Sequence, residues 1–284
     1  MTERIEKIKI DALIPFENHP FKERTGEEQV ELVESIRTTG MLVPVIVRSL
    51  LRGKYEIISG HRRVAACKEL GVDTIPAIVK ELTKEEAVIT MVDANLQREN
   101  LLPSEKAFAY KMKAAAMKAQ GKRTDLTSSQ VATKSDTATT IGQQLGESRD
   151  QVYRYIRLTY LIPELLKMVD EQRIAFTPAV EISYLPEREQ RVLIDEIEYT
   201  DATPSLSQAQ RLRKFSNQGR LSVDTVFAVL SEEKPNQKEQ VKFMTEDIRK
   251  YFPKNYSNKD MQETIIKLLE NWQRKRERNA REER

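Results

Sequence analysis

Short runs of apolar residues along the first hundred positions have the pattern of β-strands. Residues 5–15 alternate between apolar and polar side chains, as in a half-buried strand. Residues 43–47 and 54–58 are β-branched runs separated by a short turn with a glycine, which predicts a β-hairpin. A further apolar run covers 74–79. We therefore expect several short strands in this part of the chain.

Between these runs, apolar residues recur at three- and four-residue steps and predict helices. Val30, Val33 and Ile36 form the inward stripe of one helix, preceded by a Thr25–Glu28 capping box and ended by Gly40. Two more helices are predicted, one from Ser59-Gly60 to Gly71 and one over 83–93. Helices mixed with a hairpin predict a small mixed α+β sheet, and not a doubly wound parallel one.

Beyond residue 100, the apolar pattern is helical throughout. Pro103 has the position of a first helical residue, so a long helix should run to about Ala119. The stretch 121–137 is rich in Thr, Ser, Lys and Gln, and we interpret it as a loop. Its basic residues are either solvated or in contact with phosphates: Lys122, Arg123 and Lys134. Five further helices are predicted at 161–169, 178–185, 188–197, 207–215 and 222–230.

The C-terminal residues contain one strongly amphipathic stretch. A charged linker at 232–239 precedes this stretch. The apolar side of the predicted helix is formed by Met261, Ile265, Leu268, Leu269 and Trp272. So short a segment cannot cover this stripe by itself, which predicts pairing with another helix, in the same chain or in a second copy. The chain then divides into an α+β domain at 1–100, an all-α domain at 101–235 and a short helical unit at 236–284.

The stretch 139–158 has the pattern of a helix-turn-helix. Ile141 and Leu145 lie one turn apart, Gly146 permits a sharp turn, and Ser148 with Gln151 has the spacing of a capping box. The residues on the outer face of the second helix are polar: Ser148, Arg149, Asp150, Gln151, Tyr153, Arg154 and Arg157. This pattern is typical of a helix that enters a DNA major groove, although an ordinary helical hairpin with a basic face would share it.

A second candidate site lies at Ser59–Arg63, where a strand passes through Gly60 into a helix. The first N–H groups of a helix and its macrodipole attract anions, and Arg62 and Arg63 add donors suited to phosphate. A simple chain turn with solvated arginines is the alternative. The hypothesis from the residues is a phosphate site.

Composition narrows the class of protein. The net charge of the 284 residues is only +3, so any nucleic-acid surface must be local. Cys67 is the single cysteine and His19 and His61 are the only histidines, which excludes an internal disulfide and a Cys/His zinc cluster. The N-terminus is charged and no apolar run is long enough to span a membrane. We therefore expect a cytoplasmic protein with no membrane partner.

Four stretches keep an order that resembles the ParB family of plasmid and chromosome partition proteins. They are MLVPVIV at 41–47, SGHRRVAACKELGVDTIPAIV at 59–79, ANLQRENLLPSEKA at 94–107 and the helix-turn-helix; the piece RIAFTPA at 173–179 is also similar. The resemblance runs from about Ile8 to about Leu230. It implies a ParB/sulfiredoxin-like N-terminal domain followed by a helix-turn-helix domain.

The resemblance also implies a function. In this family, the N-terminal domain binds CTP with magnesium, and the nucleotide closes a DNA-loaded dimer into a sliding clamp on a palindromic site. By position, the nucleotide-binding residues here are Gly60, His61, Arg62, Arg63, Asn95 and Arg98, with Asn95 near the metal. The implied partners are double-stranded DNA, a second copy of the chain and an ATPase of the ParA type, at the nucleoid or a plasmid.

Three positions depart from the family pattern. His61 and Ala94 stand where the family usually has glutamate, and Val43 stands where it commonly has glutamine. The resemblance therefore implies at most a weak CTPase, with Asp93 as an imperfect substitute for the missing carboxylate. Two alternatives are a ParB-like transcription regulator of a mobile element and, less favoured, a nucleotide-dependent phosphotransferase or nuclease. Cys67 is expected to be a packed thiol and not a sulfiredoxin-type nucleophile.

Overall fold

In the part of the chain that the structure describes, the strands precede the long helical region. The computed structural model describes residues 5–22, 26–98, 100–124, 136–232, 249–253 and 256–282. Its strands are β1 Ile5–Lys9, β2 Leu13–Ile14, β3 Val45–Ser49, β4 Tyr55–Ser59 and β5 Thr74–Lys80. The described residues after Lys80 form helices and their connections.

The five strands form one mixed sheet in the order β1-β5-β3-β4-β2. The predicted hairpin is confirmed, because β3 and β4 are antiparallel; β1 is antiparallel to β5, and the β2–β4 and β3–β5 pairs are parallel. The predicted first strand is interrupted by a 3-10 turn at Ile10–Ala12. That turn lets Ile8, Ile10 and Leu13 all be buried in the core, which one straight strand with a two-residue period does not allow.

Three helices pack with the sheet: α1 Glu27–Thr39, α2 His61–Glu69 and α3 Lys84–Leu96. The prediction that Val30 faces inward is wrong, because 69% of its surface is exposed. Ile36 is the buried residue of α1. Leu32, one turn before it, faces the core, and Gln29, two turns before it, faces α2. The N-cap of α1 is Gly26, and the predicted cap Thr25 lies outside the described residues.

The long helix α4, Pro103–Thr124, lies between the α+β part and the helical part. Its Ala109 and Ala116 pack with α3, and its Tyr110 packs with the helices that follow. The helix is longer than predicted, since it includes the first residues of the expected loop; residues 125–135, with Lys134, lie outside the described part. A domain boundary at residue 100 stays a prediction.

Among the described residues of the unit that contains the sheet, seven further helices follow. They are α5 Thr137–Leu145, α6 Arg149–Leu158, α7 Pro163–Asp170, α8 Phe176–Ile182, α9 Glu187–Thr200, α10 Leu206–Asn217 and α11 Val223–Leu230. One apolar core joins the end of α6 to α7 through α11, with Leu165, Leu193 and Leu212 fully buried. These helices agree with the predicted positions to within a few residues.

The chain separates into two compact units, residues 1–232 and 233–284. In the second unit, helix α12 covers Asn258–Glu282, and Met261 on its first turn is buried beside Arg249. Leu268, Leu269 and Trp272 on the same helix are exposed. Among the helices that the structure describes, none is long and apolar enough to cross a bilayer.

Candidate functional site

The N-terminus of α2 has the geometry of an anion site. Gly60 is its N-cap in a left-handed conformation (φ 101°), and a Cβ at this position would lie 2.7 Å from Val45 Cγ1. Only glycine therefore fits between the strand and the helix. The ladder of α2 begins with Val64 N–H donating to Gly60 O, so the three amides before it are outside the intrahelical ladder.

The two arginines that follow Gly60 are held by the protein. Arg62 donates to Glu28 and to Gln29 Oε1, both on α1, and Arg63 Nη1 donates to the carbonyls of Val43 and Pro44. Burial also lowers the pKa of Arg63 from its ordinary value. The structure thus brings both side chains next to the helix N-terminus. A phosphate bound there would have to replace some of these hydrogen bonds of the two arginines.

His61 is the first residue of α2 and lies in a cationic neighbourhood. Its ring is 4.4 Å from that of His19, centroid to centroid, and Phe16 N–H donates to His61 Nε2 (3.5 Å). Burial, followed by the nearby charges of His19 and Arg98, lowers the pKa of His61 to about 4. The imidazole is therefore neutral at pH 7. The effect of Arg98 also shows that this exposed side chain lies near the N-terminus of α2.

Asn95 on α3 is the position that the family resemblance assigns to the metal. Its side chain is buried and Nδ2 donates to Met91 O (2.7 Å), whereas the buried Oδ1 has no hydrogen-bond partner within the described structure. A buried amide oxygen without a donor suits a cation or a ligand N–H. Mg²⁺ accepts such a ligand and usually takes its remaining ligands from phosphates and water. Asn95 therefore fits one position around Mg²⁺.

Asp93 does not supply a free carboxylate to this region. Its Oδ1 accepts from Lys113 Nζ of α4, and the same ammonium donates to Gln144 Oε1 of α5. Lys113 is fully buried, whereas the Asp93 side chain is 45% exposed. A buried ammonium needs its counter-ion, so Asp93 as the substitute for the family glutamate is disfavoured.

Cys67 is a packed thiol, as expected. It is buried, its Sγ lies 3.9 Å from Met41 Sδ, and burial raises the pKa of the thiol. A nucleophilic cysteine requires the opposite shift. In the described ranges, no three His, Cys, Asp or Glu side chains are grouped so that they could hold a metal ion.

The helix-turn-helix is present where the pattern predicted it, in α5 and α6. Gly146 connects the helices in a left-handed conformation (φ 69°), and Ser148 Oγ accepts from Gln151 N–H to cap α6. The helices approach closely at Gly142, where a Cβ would lie 2.5 Å from Glu147 O. Val152 of α6 and Ile141 of α5 are fully buried between them and α4.

The first turns of α6 expose the residues best placed to reach DNA. Ser148, Arg149 and Asp150 are exposed, Gln151 is half-buried, and Tyr153 is 44% exposed. Arg149 Nε donates to Asp136 Oδ2 (2.6 Å), and the hydroxyl of Tyr153 also donates to Asp136. The acceptor, Asp136, is the N-cap of α5.

Arg154 and Arg157 are less free than predicted. Arg154 Nη2 donates to Thr177 Oγ1 (2.9 Å) of α8, and Arg157 Nη2 donates to the carbonyl of Ser183 (2.6 Å). The guanidinium of Arg157 also stacks on Tyr184, 4.1 Å from the ring centroid. Both arginines fasten α6 to α8, and a DNA contact for either remains a prediction.

Sequence reasoning missed Asp136 and Lys113. Asp136 was part of a polar stretch interpreted as a loop, although Asp one residue before a helix is a recognisable N-cap signal. Lys113 lies in a helix rich in lysine and alanine, where nothing local marks one lysine as buried. Its burial follows from α3 and α5 packing on the same side of α4.

Comparison with known proteins agrees with this geometry. The ParB N-terminal domain family matches residues 1–96. The match ends on α3, so it includes Gly60, the arginines after it and Asn95. The resemblance seen in the sequence is thereby confirmed for this part of the chain.

Relatives extend the similarity beyond the ParB domain. Stage 0 sporulation protein J of Bacillus subtilis is 37% identical over 169 residues, 60% of this chain and 54% of that protein. A nucleoid occlusion protein of Geobacillus sp. is 41% identical over 111 residues, 38% of each chain. The chain thus spans about half, or less, of the length of these relatives.

Two crystal structures of the C-terminally truncated chromosome-partitioning protein ParB of Caulobacter crescentus are also similar. The one complexed with CTP-gamma-S has a TM-score of 0.32 at 25% identity and covers 63% of this chain and 92% of its own. The one complexed to the centromeric parS site has a TM-score of 0.43 at 23% identity, and the match covers 79% of this chain and 98% of that chain.

Proposed function

We propose that this chain is a sequence-specific, double-stranded DNA-binding protein of the partition type. The observation that carries the proposal is the helix-turn-helix, in which α6 exposes Ser148, Arg149 and Asp150 on its first turn. A recognition helix reads base edges with these N-terminal positions. The relatives support the same reading, since they include a nucleoid occlusion protein and the chromosome-partitioning protein Spo0J of Thermus thermophilus.

Binding to duplex DNA tests this proposal directly. The chain is expected to select a preferred duplex from a randomised library at moderate salt, and Arg149→Ala should lower its preference for that duplex over random DNA by a factor of roughly 5–100. Lys122→Ala should weaken binding to both duplexes equally and reduce the salt dependence. Equal loss on both duplexes for Arg149→Ala would argue against its assignment to base reading.

The proposal includes a nucleotide site at the N-terminus of α2. Its residues are Gly60, His61, Arg62, Arg63, Asn95 and Arg98, and the ligand class is a nucleoside triphosphate, CTP, with Mg²⁺. The free amides of α2, the nearby Arg98 and the unpartnered Oδ1 of Asn95 support an anion with a metal. When bound, the metal would neutralise the phosphates while the helix N-terminus and arginines orient them.

Nucleotide binding is measurable without DNA. CTP with Mg²⁺ is expected to bind more tightly than ATP or GTP in calorimetry, and Arg98→Ala should weaken it at least several-fold. Lys68→Ala, on the exposed C-terminal end of α2, is the matched control and should bind normally. Phosphate release from the three nucleotides, with and without DNA, distinguishes a weak CTPase from the phosphotransferase or nuclease alternative.

We further propose that the chain forms a CTP-gated DNA clamp, which requires two copies of the chain on a palindromic site. Exposed Leu268, Leu269 and Trp272 on α12 form an apolar stripe that a second copy would cover. Light scattering at micromolar concentration should therefore give the mass of a homodimer, and Leu268→Asp should lower it. A monomer mass for the unmodified chain would contradict this part of the proposal.

The same scaffold would serve a partition protein or a transcription regulator. Partition requires a ParA-type ATPase as partner and places the chain in the cytoplasm on the nucleoid or a plasmid. A ParA-type gene next to this one, and stimulation of its ATPase by the purified chain, would favour partition. Repression of a neighbouring promoter without such a partner would favour regulation.

A further inference from the structure

Asp136 brings together three groups at the entrance of the helix-turn-helix. Its Oδ2 accepts from Arg149 Nε (2.6 Å), and the Tyr153 hydroxyl lies 2.9 Å from Oδ1 and 2.7 Å from Oδ2. Its Oδ1 also faces Ala138 N–H (3.4 Å), as expected of a residue that caps α5. One carboxylate therefore ties the start of the first helix to the exposed face of the second.

The donor atom that Arg149 uses matters for DNA reading. A guanidinium reads guanine O6 and N7 with two parallel N–H donors. Asp136 takes Nε, and the Tyr153 hydroxyl is a second hydrogen-bonding neighbour of the guanidinium. The two Nη nitrogens carry four N–H donors, so one bond to Tyr153 still leaves the parallel pair that a guanine requires.

The aromatic ring of Tyr153 completes the arrangement. The Arg149 guanidinium lies over this ring, 5.3 Å from its centroid, so the arginine is supported on one face and bonded on one edge. The hydrogen bond from Tyr153 and then that from Arg149 lower the pKa of Asp136, which keeps the carboxylate charged at neutral pH. A free arginine side chain would lose its rotational freedom on binding, whereas this one is ordered beforehand.

We propose that Asp136 is a positioning residue for base reading: its carboxylate holds Arg149 through Nε and presents the Nη pair to a guanine in the major groove. This inference rests on the proposed function, since it assumes that α6 enters that groove. Asp136 itself touches no base. It acts through Arg149, by favouring the base pair to which this arginine binds.

Asp136 has a second role as a helix cap, and the choice of variant separates the two roles. Serine is as good an N-cap as aspartate, but its short neutral side chain cannot hold a guanidinium. Asp136→Ser therefore keeps the cap and removes the carboxylate. Ser205→Ala is the matched control, because it removes the cap of α10 and leaves the helix-turn-helix unchanged.

The experiment starts from the unmodified full-length chain. A randomised duplex library identifies its preferred duplex, and competition binding then measures every single-base-pair change in that duplex at fixed salt. Arg149→Ala is expected to abolish the preference at one G·C pair, and Asp136→Ser to reduce it at the same pair by about 5- to 10-fold. The double variant should match Arg149→Ala, and Ser205→Ala should leave the preference intact.

The outcomes separate the inference from the proposed function. If the unmodified chain selects no duplex, the proposed function fails and the inference falls with it. If it selects a duplex and Asp136→Ser retains the full preference, Asp136 is only a cap and the inference alone is wrong. A gain of preference in Asp136→Ser would also overturn it, because the carboxylate would then be restraining Arg149 from the DNA.

Discussion

His61 illustrates how a single side chain depends on its surroundings. In the sequence it is a histidine beside two arginines, where the family usually has glutamate. In the folded chain its ring lies against His19 near Arg98, and burial together with these two charges lowers its pKa to about 4. Protonation is therefore much harder in the folded state than in the unfolded chain, where the pKa is near 6.5.

This shift predicts a pH dependence of stability. Above pH 6.5, His61 is neutral in both states, and between pH 6.5 and 4 the unfolded chain gains a proton that the folded chain does not, so stability falls. From pH 7.5 to 5.0, this single site should reduce the free energy of unfolding by about 2 kcal/mol. Urea unfolding at the two pH values should show that His61→Gln loses about 2 kcal/mol less than the unmodified chain. An identical loss in both proteins would show that His61 is not the titrating group.

At the scale of the element, the helix-turn-helix depends on a close approach of backbone to backbone. Gly142 lies on α5 opposite the start of α6, and its missing side chain leaves room for Glu147 O. Gly146 has a different role: it adopts the left-handed conformation of the turn, and a Cβ at this position would meet no neighbouring atom within 4 Å. The two glycines therefore have separate physical roles that look the same in the sequence.

Alanine substitution distinguishes these roles. Alanine normally stabilises a helix relative to glycine, but at position 142 its Cβ would overlap Glu147 O and should cost about 1–3 kcal/mol. Gly146→Ala should cost about 1 kcal/mol through its backbone conformation alone. Gly71→Ala, with nearly the same φ and open space, is the control for that cost. Chemical denaturation measures all three, and a stabilised Gly142→Ala variant would contradict the close approach.

At the scale of the first compact unit, α4 connects the two candidate sites. Its Lys113 is fully buried and its ammonium bonds both Asp93 on α3 and Gln144 on α5. Helix α3 carries Asn95 of the candidate nucleotide site, and α5 is the first helix of the helix-turn-helix. One side chain therefore contacts the helices of both sites.

Removing either partner of this ion pair should have different effects. Asp93→Ala leaves a buried ammonium without its counter-ion and should cost about 2–3 kcal/mol, less than a fully buried pair because the carboxylate is half-exposed. Lys113→Met removes the charge at similar volume and should cost less than about 1 kcal/mol. Thermal unfolding of both variants and of the unmodified chain measures the two losses of stability. Equal destabilisation would contradict this prediction, because a buried ammonium without its counter-ion would then cost no more than removal of the whole ion pair.

The sequence alone determined the features that depend on local periodicity and capping. The hairpin, the order of the helices, the turn at Gly60 and the turn at Gly146 follow from short stretches in which apolar spacing, glycine and cap residues agree with one another. The mixed α+β class followed from their order along the chain. The exposure of the first turn of α6 followed as well, since position on a helix sets which side chains share a face.

Only the tertiary structure decided which charged groups meet. Arg62 and Arg63 are bonded to α1 and to residues 43–44, Arg154 and Arg157 to the α8 region, and Lys113 to Asp93. Arg149 meets Asp136 thirteen positions away across a helical turn. Long polar side chains have no periodic signal, and their partners are chosen by which backbones lie within reach after the cores have packed. That is why the sequence predicted where the two sites lie, whereas the contacts that orient their residues appear only in the folded chain.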